Sequence, residues 1–417
     1  MLEQSEKSVS APRNPVVVVG AGHAGGTVAA LLRQYGLTEP ITIVGEETIA
    51  PYQRPPLSKA WLKGEVDADD LMLKASDFYR ENEIALKLGV RAVRIDRDAK
   101  RVHLNDGEEI AYDTLILATG SRARQLAIPG VALDGVQALR SIADAEQLKS
   151  KLGKGKRLAV VGGGYIGLEA AASARALGAE AVVVELQDRV LARVACEALS
   201  TFLQNYHRAR GVIFELNASV AAFEGEAGRV TGVRLADGRL IDADIVLVGV
   251  GAIPNDDLAR NAGIPCRDGV IVDGDARTSD PSIFAIGDVT QRPLAVYDRM
   301  HRLESVANVL EQAKQAACAI AGRPTPPHEV TWNWSDQYDL KLQMAGVAFD
   351  TDEILIRGDP AAAGFAVFHL RGGRVQAVEA INAPPEFMMG RQLIAAQRPI
   401  ARERLSNPAV SMKDVGA

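Results

Sequence analysis

Apolar residues follow two rhythms along this chain. Short runs without a polar break, Val16–Val19 and "RLAVV" (157–161), each lead into a glycine-rich turn, Gly20-Ala21-Gly22-His23-Ala24-Gly25 and Gly162-Gly163-Gly164-Tyr165-Ile166-Gly167. A run with no polar face predicts a parallel strand covered on both sides. Beyond each turn the rhythm lengthens: "GTVAALLRQYG" (26–36) and "LEAAASARALG" (168–178) repeat at helical period with small residues toward the sheet. A second strand is predicted next, "ITIVGEE" (41–47) in one case and "AEAVVVE" (179–185) in the other, each ending in an acid. The two units also close alike, with "DTLILATGS" (113–121) and "ADIVLVGVG" (243–251). A duplication of this kind predicts two doubly wound α/β units. The alternation in 330–358 predicts antiparallel strands and a third, smaller αβ unit.

The turns carry chemistry. In such a fingerprint the first glycine permits the tight turn, the second lets a pyrophosphate approach the backbone, and the third lets helix and strand pack closely. The helix N-terminus then offers unpaired N–H groups and the positive end of its dipole. Glu46 stands 21 residues after Gly25 and Glu185 stands 18 after Gly167, close to the spacing at which a carboxylate reaches a ribose hydroxyl. Gly20, Gly22, Ala24 and Gly25 with Glu46, and Gly162, Gly164 and Gly167 with Glu185, therefore define two dinucleotide sites. Two such sites in one chain suggest a flavin that is held and a nicotinamide that visits. His23 occupies a variable position of the turn and is read as a satisfied or solvent-facing histidine, not as an acid–base catalyst.

Composition narrows the partners. The 417 residues are 47% hydrophobic, enough for several cores, and the net charge of −6 argues against nucleic acid as the main partner. The opening "MLEQSEKSVSAPRN" has no apolar core of a signal peptide, and no apolar run reaches membrane-spanning length, so a cytoplasmic protein is expected. The three cysteines, Cys196, Cys266 and Cys318, are far apart, fit a reducing compartment and match no metal-ligand spacing.

Longer motifs are more specific than the glycine turns. "YQRPPLSKAWL" (52–62), "TSDPSIFAIGDV" (278–289), "RLESVANVLEQAK" (302–314) and "WNWSDQYDLKLQMAG" (332–346) make the chain resemble the NADH-dependent ferredoxin reductases of bacterial oxygenase systems. These belong to the two-dinucleotide flavoproteins of glutathione reductase type. Disulfide reductases of that superfamily pass electrons through a cysteine pair, and residues 1–195 here contain no cysteine. Electrons on a flavin would have to leave directly for an external acceptor.

The resemblance implies an FAD contacted by the first glycine turn, by Glu46 on its ribose, and by Lys59, Ala92, Arg140, Asp288 and Val306. By residue type alone Asp288 is a turn aspartate and Lys59 a solvated lysine; the motifs around them assign both to the flavin. Glu169 matches the glutamate that pairs with such a lysine. Trp334 matches an aromatic position beside the flavin, where it would screen the ring from water or stack near the nicotinamide, while Trp332 is read as core. Glu185 would select NADH over NADPH. Arg193 and Arg189 complicate that choice, being candidates for the pyrophosphate or for solvent.

The resemblance further implies hydride transfer from NADH and single-electron delivery to a [2Fe–2S] ferredoxin serving a cytochrome P450 or a Rieske-type oxygenase. Lys74, Arg302 and Lys314 are the docking candidates, each equally readable as a solvated charge. Residues 1–120 and 251–328 are expected to form the FAD domain, 121–250 the NAD domain and 329–417 the C-terminal αβ domain. A monomer or weak dimer is expected. Two rivals share the fold. A peroxidase or disulfide reductase would need a redox cysteine near Thr42, and an apoptosis-inducing-factor-like flavoprotein would add basic runs; neither feature is evident.

Overall fold

The computed structural model describes residues 15–415; the polar opening, residues 1–14, lies outside them. Two five-stranded parallel sheets carry the duplication. In the first, the strand order is Ile283–Ala285, Thr114–Leu117, Val16–Val19, Ile41–Gly45, Ile84–Leu88. In the second it is Val136–Gln137, Ile245–Val248, Arg157–Val161, Glu180–Val184, Val212–Glu215. Read from the outer strand inward, the sheets match strand for strand. The outermost strand comes from a late segment in the first sheet and an early one in the second. Each sheet also has a three-stranded antiparallel meander placed before its closing strand, within 92–111 and 220–242.

The uninterrupted apolar runs form the central strands. Val16–Val19 and Leu158–Val161 are buried throughout, because helices cover one face of each sheet and the antiparallel meander packs on the other. The helices begin earlier than the periodicity suggests, at His23 and Tyr165, so each third glycine lies inside the first helical turn. Backbone N–H groups of that turn have no intrahelical partner, which makes it the anion-facing end.

Segments Ser121–Ala123 and Ala252–Pro254 run side by side as an antiparallel pair where the chain passes between the two sheets. The connector 322–330 holds no regular element, and the last sheet follows it. That sheet is antiparallel, in the order Trp332–Gln337, Leu340–Gly346, Arg374–Ile381, Gly364–Arg371, Glu353–Asp359, with helix Pro384–Ala396 packed on it. It joins the second unit through Phe365, whose ring lies 5.3 Å edge-on from Phe202, and through Glu379, which accepts the Cys196 N–H at 3.1 Å. Among the described residues no helix is long and apolar enough to cross a membrane.

Candidate functional site

The glycines of the two turns divide their work in the same way. Gly20 has φ +119°, and a Cβ there would stand 2.1 Å from the Ala118 carbonyl oxygen; Gly162 has φ +107°, and its Cβ would stand 2.4 Å from the Gly249 oxygen. Gly25 and Gly167 press on the preceding turn, where a Cβ would meet the oxygens of Gly20 and Gly162 at 1.9 and 2.4 Å. The middle glycines face open space. Nothing lies within 4 Å of a Cβ at Gly164, and at Gly22 only Arg54 Nη2 approaches, at 3.9 Å. Backbone that is crowded at the first and third glycine and bare at the second is a cradle for a phosphate-bearing ligand.

Around the first turn four distant segments converge. Gly287 reaches it from the returning chain: with φ +80°, its Cβ would touch the Ala24 Cβ at 3.3 Å. Asp288, next in sequence, accepts from Arg140 Nη2 at 2.9 Å and from Ser121 Oγ at 3.2 Å, and is mostly buried. Arg140 is further held by Nε on the Ser121 carbonyl, at 3.0 Å. Arg54 donates to Glu47 at 2.6 Å and to the Arg140 carbonyl at 2.5 Å. His23 is half-buried; burial lowers its pKa, Asp288 opposes that and Arg54 adds to it. Val306 opens the helix to Ile320 behind an Ser305 cap, bringing a second helix N-terminus to the same region. Glu46 is exposed at the end of its strand and Ala92 begins the outlying meander.

Arg54 was not singled out by sequence reading although "YQRPPLS" contains it. The signal was an arginine beside two prolines that fix the chain, and only the fold shows that its guanidinium faces Gly22.

The second turn is lined differently. Glu185 Oε2 accepts the Gly163 N–H at 2.6 Å and Oε1 accepts the Gln187 N–H at 2.9 Å, holding the carboxylate at the mouth of the turn. Arg189 turns inward, donating to the carbonyls of Ala195 and Ala192 and to Ser200 Oγ. Arg193 is exposed, and a Cβ on Gly251 would stand 3.7 Å from its Nη2.

In the helix that follows the second turn, Glu169 forms an ion pair. Lys59 Nζ approaches Glu169 Oε2 at 2.8 Å, with the glutamate side chain only 5% exposed. Ser58 Oγ donates to the same oxygen, and Ser335 Oγ donates to Oε1 at 2.6 Å. A buried carboxylate is tolerated only when its lone pairs are met in this way. The two serines were not anticipated. Ser335 alternates with Trp334 along its strand, so it is the serine that turns toward Glu169. The Trp334 ring lies 5.6 Å from that of Trp332, which packs on Phe387. Of the docking candidates, Lys74 and Lys314 are exposed, whereas Arg302 is paired with Asp268 and Glu304 and only 13% exposed, a poor choice for a free cation.

Two parallel sheets with matched glycine cradles, together with a buried Lys59–Glu169 pair, define an oxidoreductase of the two-dinucleotide kind. The chain belongs to the pyridine nucleotide-disulphide oxidoreductase family, whose profile matches residues 14–317, with a reductase C-terminal domain matched over 332–416. It is 52% identical over 398 residues to the probable ferredoxin reductase CtmF of Castellaniella defragrans, covering 95% of this chain and 97% of that one. It is 39% identical over 405 residues to the putidaredoxin reductase CamA of Pseudomonas putida, covering 96% of each. The reductase in the crystal structure of the covalent putidaredoxin reductase–putidaredoxin complex superposes with a TM-score of 0.94 at 38% identity, covering 96% of this chain and 98% of that one.

Proposed function

We propose that the chain is an FAD-dependent NADH:ferredoxin oxidoreductase that supplies a [2Fe–2S] ferredoxin, and through it a cytochrome P450 or Rieske-type oxygenase. The observation that carries this reading is the pair of glycine cradles of like geometry, with a buried Lys59–Glu169 pair, in a chain without cysteine before residue 196. Full-length likeness to ferredoxin reductases supports it.

The first unit, residues 1–120 with 251–328, takes FAD; residues 121–250 take NADH; residues 329–417 cover the junction. FAD, when bound, accepts two electrons from NADH and releases them singly, which a one-electron iron–sulfur acceptor requires. The chain supplies binding and electrostatics. The backbone at Gly22, the guanidinium of Arg54 and the helix start at His23 receive the pyrophosphate, while Glu46 meets the ribose and Ala92 lines the adenine. Asp288, locked by Arg140 and Ser121, accepts from the ribityl hydroxyls. Lys59 holds positive charge beside the ring and Glu169 fixes where that charge sits, favouring added negative charge there. Trp334 excludes water from the ring face. Gly162, Gly164 and Gly167 receive NADH, with Glu185 on the ribose and Arg193 free to reach the phosphates. No general base is needed. The three thiols, all unpaired, fit a reducing compartment, and the cytoplasm is the proposed location.

The test is anaerobic mixing of the purified yellow protein with NADH and a [2Fe–2S] ferredoxin. About one FAD per chain and bleaching of the oxidised ferredoxin band are expected. A protein that takes up no flavin on reconstitution, or a flavoprotein that NADH reduces but that passes nothing to any ferredoxin, refutes the reading.

A further inference from the structure

The Lys59–Glu169 pair does not end at Ser335. Gln337, two residues along the same face of the strand, donates from Nε2 to Ser335 Oγ at 3.0 Å, and its Oε1 lies 2.8 Å from His207 Nε2. His207 sits in helix Glu197–Arg208 of the second unit, and its Nδ1 is 3.4 Å from the Tyr338 hydroxyl. His207, Gln337, Ser335 and Glu169 are 0%, 1%, 0% and 4% exposed, so water does not complete this line at any joint.

A line of this kind has a polarity, and Glu169 sets it. A carboxylate can only accept, so Ser335 must give its one proton to Oε1. The serine oxygen must then accept, which turns the Gln337 amide so that its nitrogen faces Ser335 and its oxygen faces His207. The His207 proton has to sit on Nε2, leaving Nδ1 to accept from Tyr338. Were the amide reversed, Gln337 would take the serine's proton and Glu169 would be left with a buried oxygen lacking its donor. Burial lowers the His207 pKa to about 4, so the imidazole is neutral and its tautomer is the variable that matters. Arg210, Phe214 and Tyr338 face it, and Arg210 is stacked on Tyr206 with its guanidinium carbon 3.5 Å from the ring centroid, fixing the outer end.

We propose that His207 is a positioning residue for the Lys59–Glu169 pair, acting through the oriented chain His207–Gln337–Ser335–Glu169, so that the C-terminal strand and a helix of the second unit set the charge presented to the flavin. The proposal rests on the reading that Lys59 lies beside FAD. With Ser335 no longer directed at Oε1, more of Glu169's negative charge is left unneutralised, and added negative charge on the nearby ring is disfavoured.

The test compares midpoint potentials of bound FAD in the full-length protein and in Ser335→Ala, His207→Phe and His207→Gln. Phe keeps the aromatic packing and removes the donor; Gln keeps an N–H donor. Ser335→Ala is expected to lower the reduction equilibrium about tenfold, about 30 mV at 29.6 mV per decade for two electrons. His207→Phe should move it the same way by about threefold, the double variant should match Ser335→Ala, and His207→Gln should match the parent. If His207→Phe fails to fold by circular dichroism, Gln337→Met interrupts the same chain with the same expectation. A potential that Lys59→Met moves but the interrupted variant leaves unchanged, or shifts that add in the double variant, overturns the proposal. The carboxyl 13C shift of Glu169, read in the same samples, separates the two readings: if it moves in His207→Phe but neither that variant nor Lys59→Met moves the potential, the chain stands and the placement of Lys59 beside the flavin fails.

Discussion

The two glycine turns are near copies in backbone and opposites in surroundings. Ala24 of the first is 8% exposed, whereas Ile166, its counterpart in the second, is 46% exposed. Arg54, Arg140 and Asp288 close around the first from three distant segments, Arg140 bonded to both of the others, and His23 stands in the turn itself. The second has Glu185 on its own backbone and a rim of outward apolar side chains, with Leu186 63% and Val194 55% exposed. One fingerprint therefore serves two tasks. An enclosed, charge-lined cradle suits a cofactor that stays, because every contact is made before the ligand arrives and its release must break them together. An open cradle with one carboxylate suits a ligand that must leave each cycle.

The sharpest way to break this comparison is to fill the third glycine of each turn in separate variants. In Gly25→Ala the new Cβ would meet the Gly20 oxygen at 1.9 Å, and in Gly167→Ala the Gly162 oxygen at 2.4 Å. Overpacking of this kind costs about 1–3 kcal/mol or more, and the helix start must move away from the ligand. Gly25→Ala should lose FAD on purification, with affinity down about a hundredfold. Gly167→Ala should stay yellow and show a KM for NADH raised about tenfold. Flavin lost from Gly167→Ala but kept in Gly25→Ala would reverse the assignment of the two units.

A smaller effect sharpens the difference at the second turn. On the proposed reading Glu185 presents its carboxylate to a ribose 2′-hydroxyl, and a 2′-phosphate would meet like charge there. Arg189, one alternative partner for a phosphate, is bound to two carbonyls and a serine. The ratio of kcat/KM for NADH over NADPH should be at least roughly tenfold, about 1.4 kcal/mol. Glu185→Ala should bring it within about threefold. Equal use of both coenzymes by the unmodified protein would remove Glu185 from its role.

Much of this architecture was legible because it is written in local patterns. Val16–Val19 and "RLAVV" read as covered strands, and the glycines gained meaning as turns that a ligand approaches only with the strand before, the helix after and the acid on schedule. The Lys59–Glu169 pair, 110 residues apart, was reached through motif resemblance, and the fold brings it to 2.8 Å. What local pattern could not convey was convergence. Arg54 meets the first turn because two prolines aim it there, and Ser335 meets Glu169 across 166 residues. A serine in a strand carries no mark of the carboxylate it will face. Arg302 shows the converse: in sequence it is an unassigned cation, and in the fold Asp268 and Glu304 have already neutralised it.

The smallest expected effect concerns the acceptor side, where, with FAD in the first unit as proposed, the enclosure must still let electrons out. Helix Val306–Ile320 starts near the first glycine turn, and on its outer face Leu310, 46% exposed, stands one turn before the exposed Lys314. A net charge of −6 makes a local cation beside an apolar residue the natural landing point for an acidic ferredoxin. Lys314 has no ion pair among the described residues, so its charge is available, unlike that of Arg302. Lys314→Glu should raise the KM for ferredoxin about threefold to tenfold and weaken its dependence on salt, while ferricyanide reduction stays unchanged because a small anion needs no docking face. Arg302→Gln should change the KM by less than about twofold. Lys74, whose Nζ lies 5.1 Å over the Phe78 ring, should fall between them. If Lys314→Glu slows both acceptors equally, the helix is supporting the flavin cradle and the electrons leave by another face.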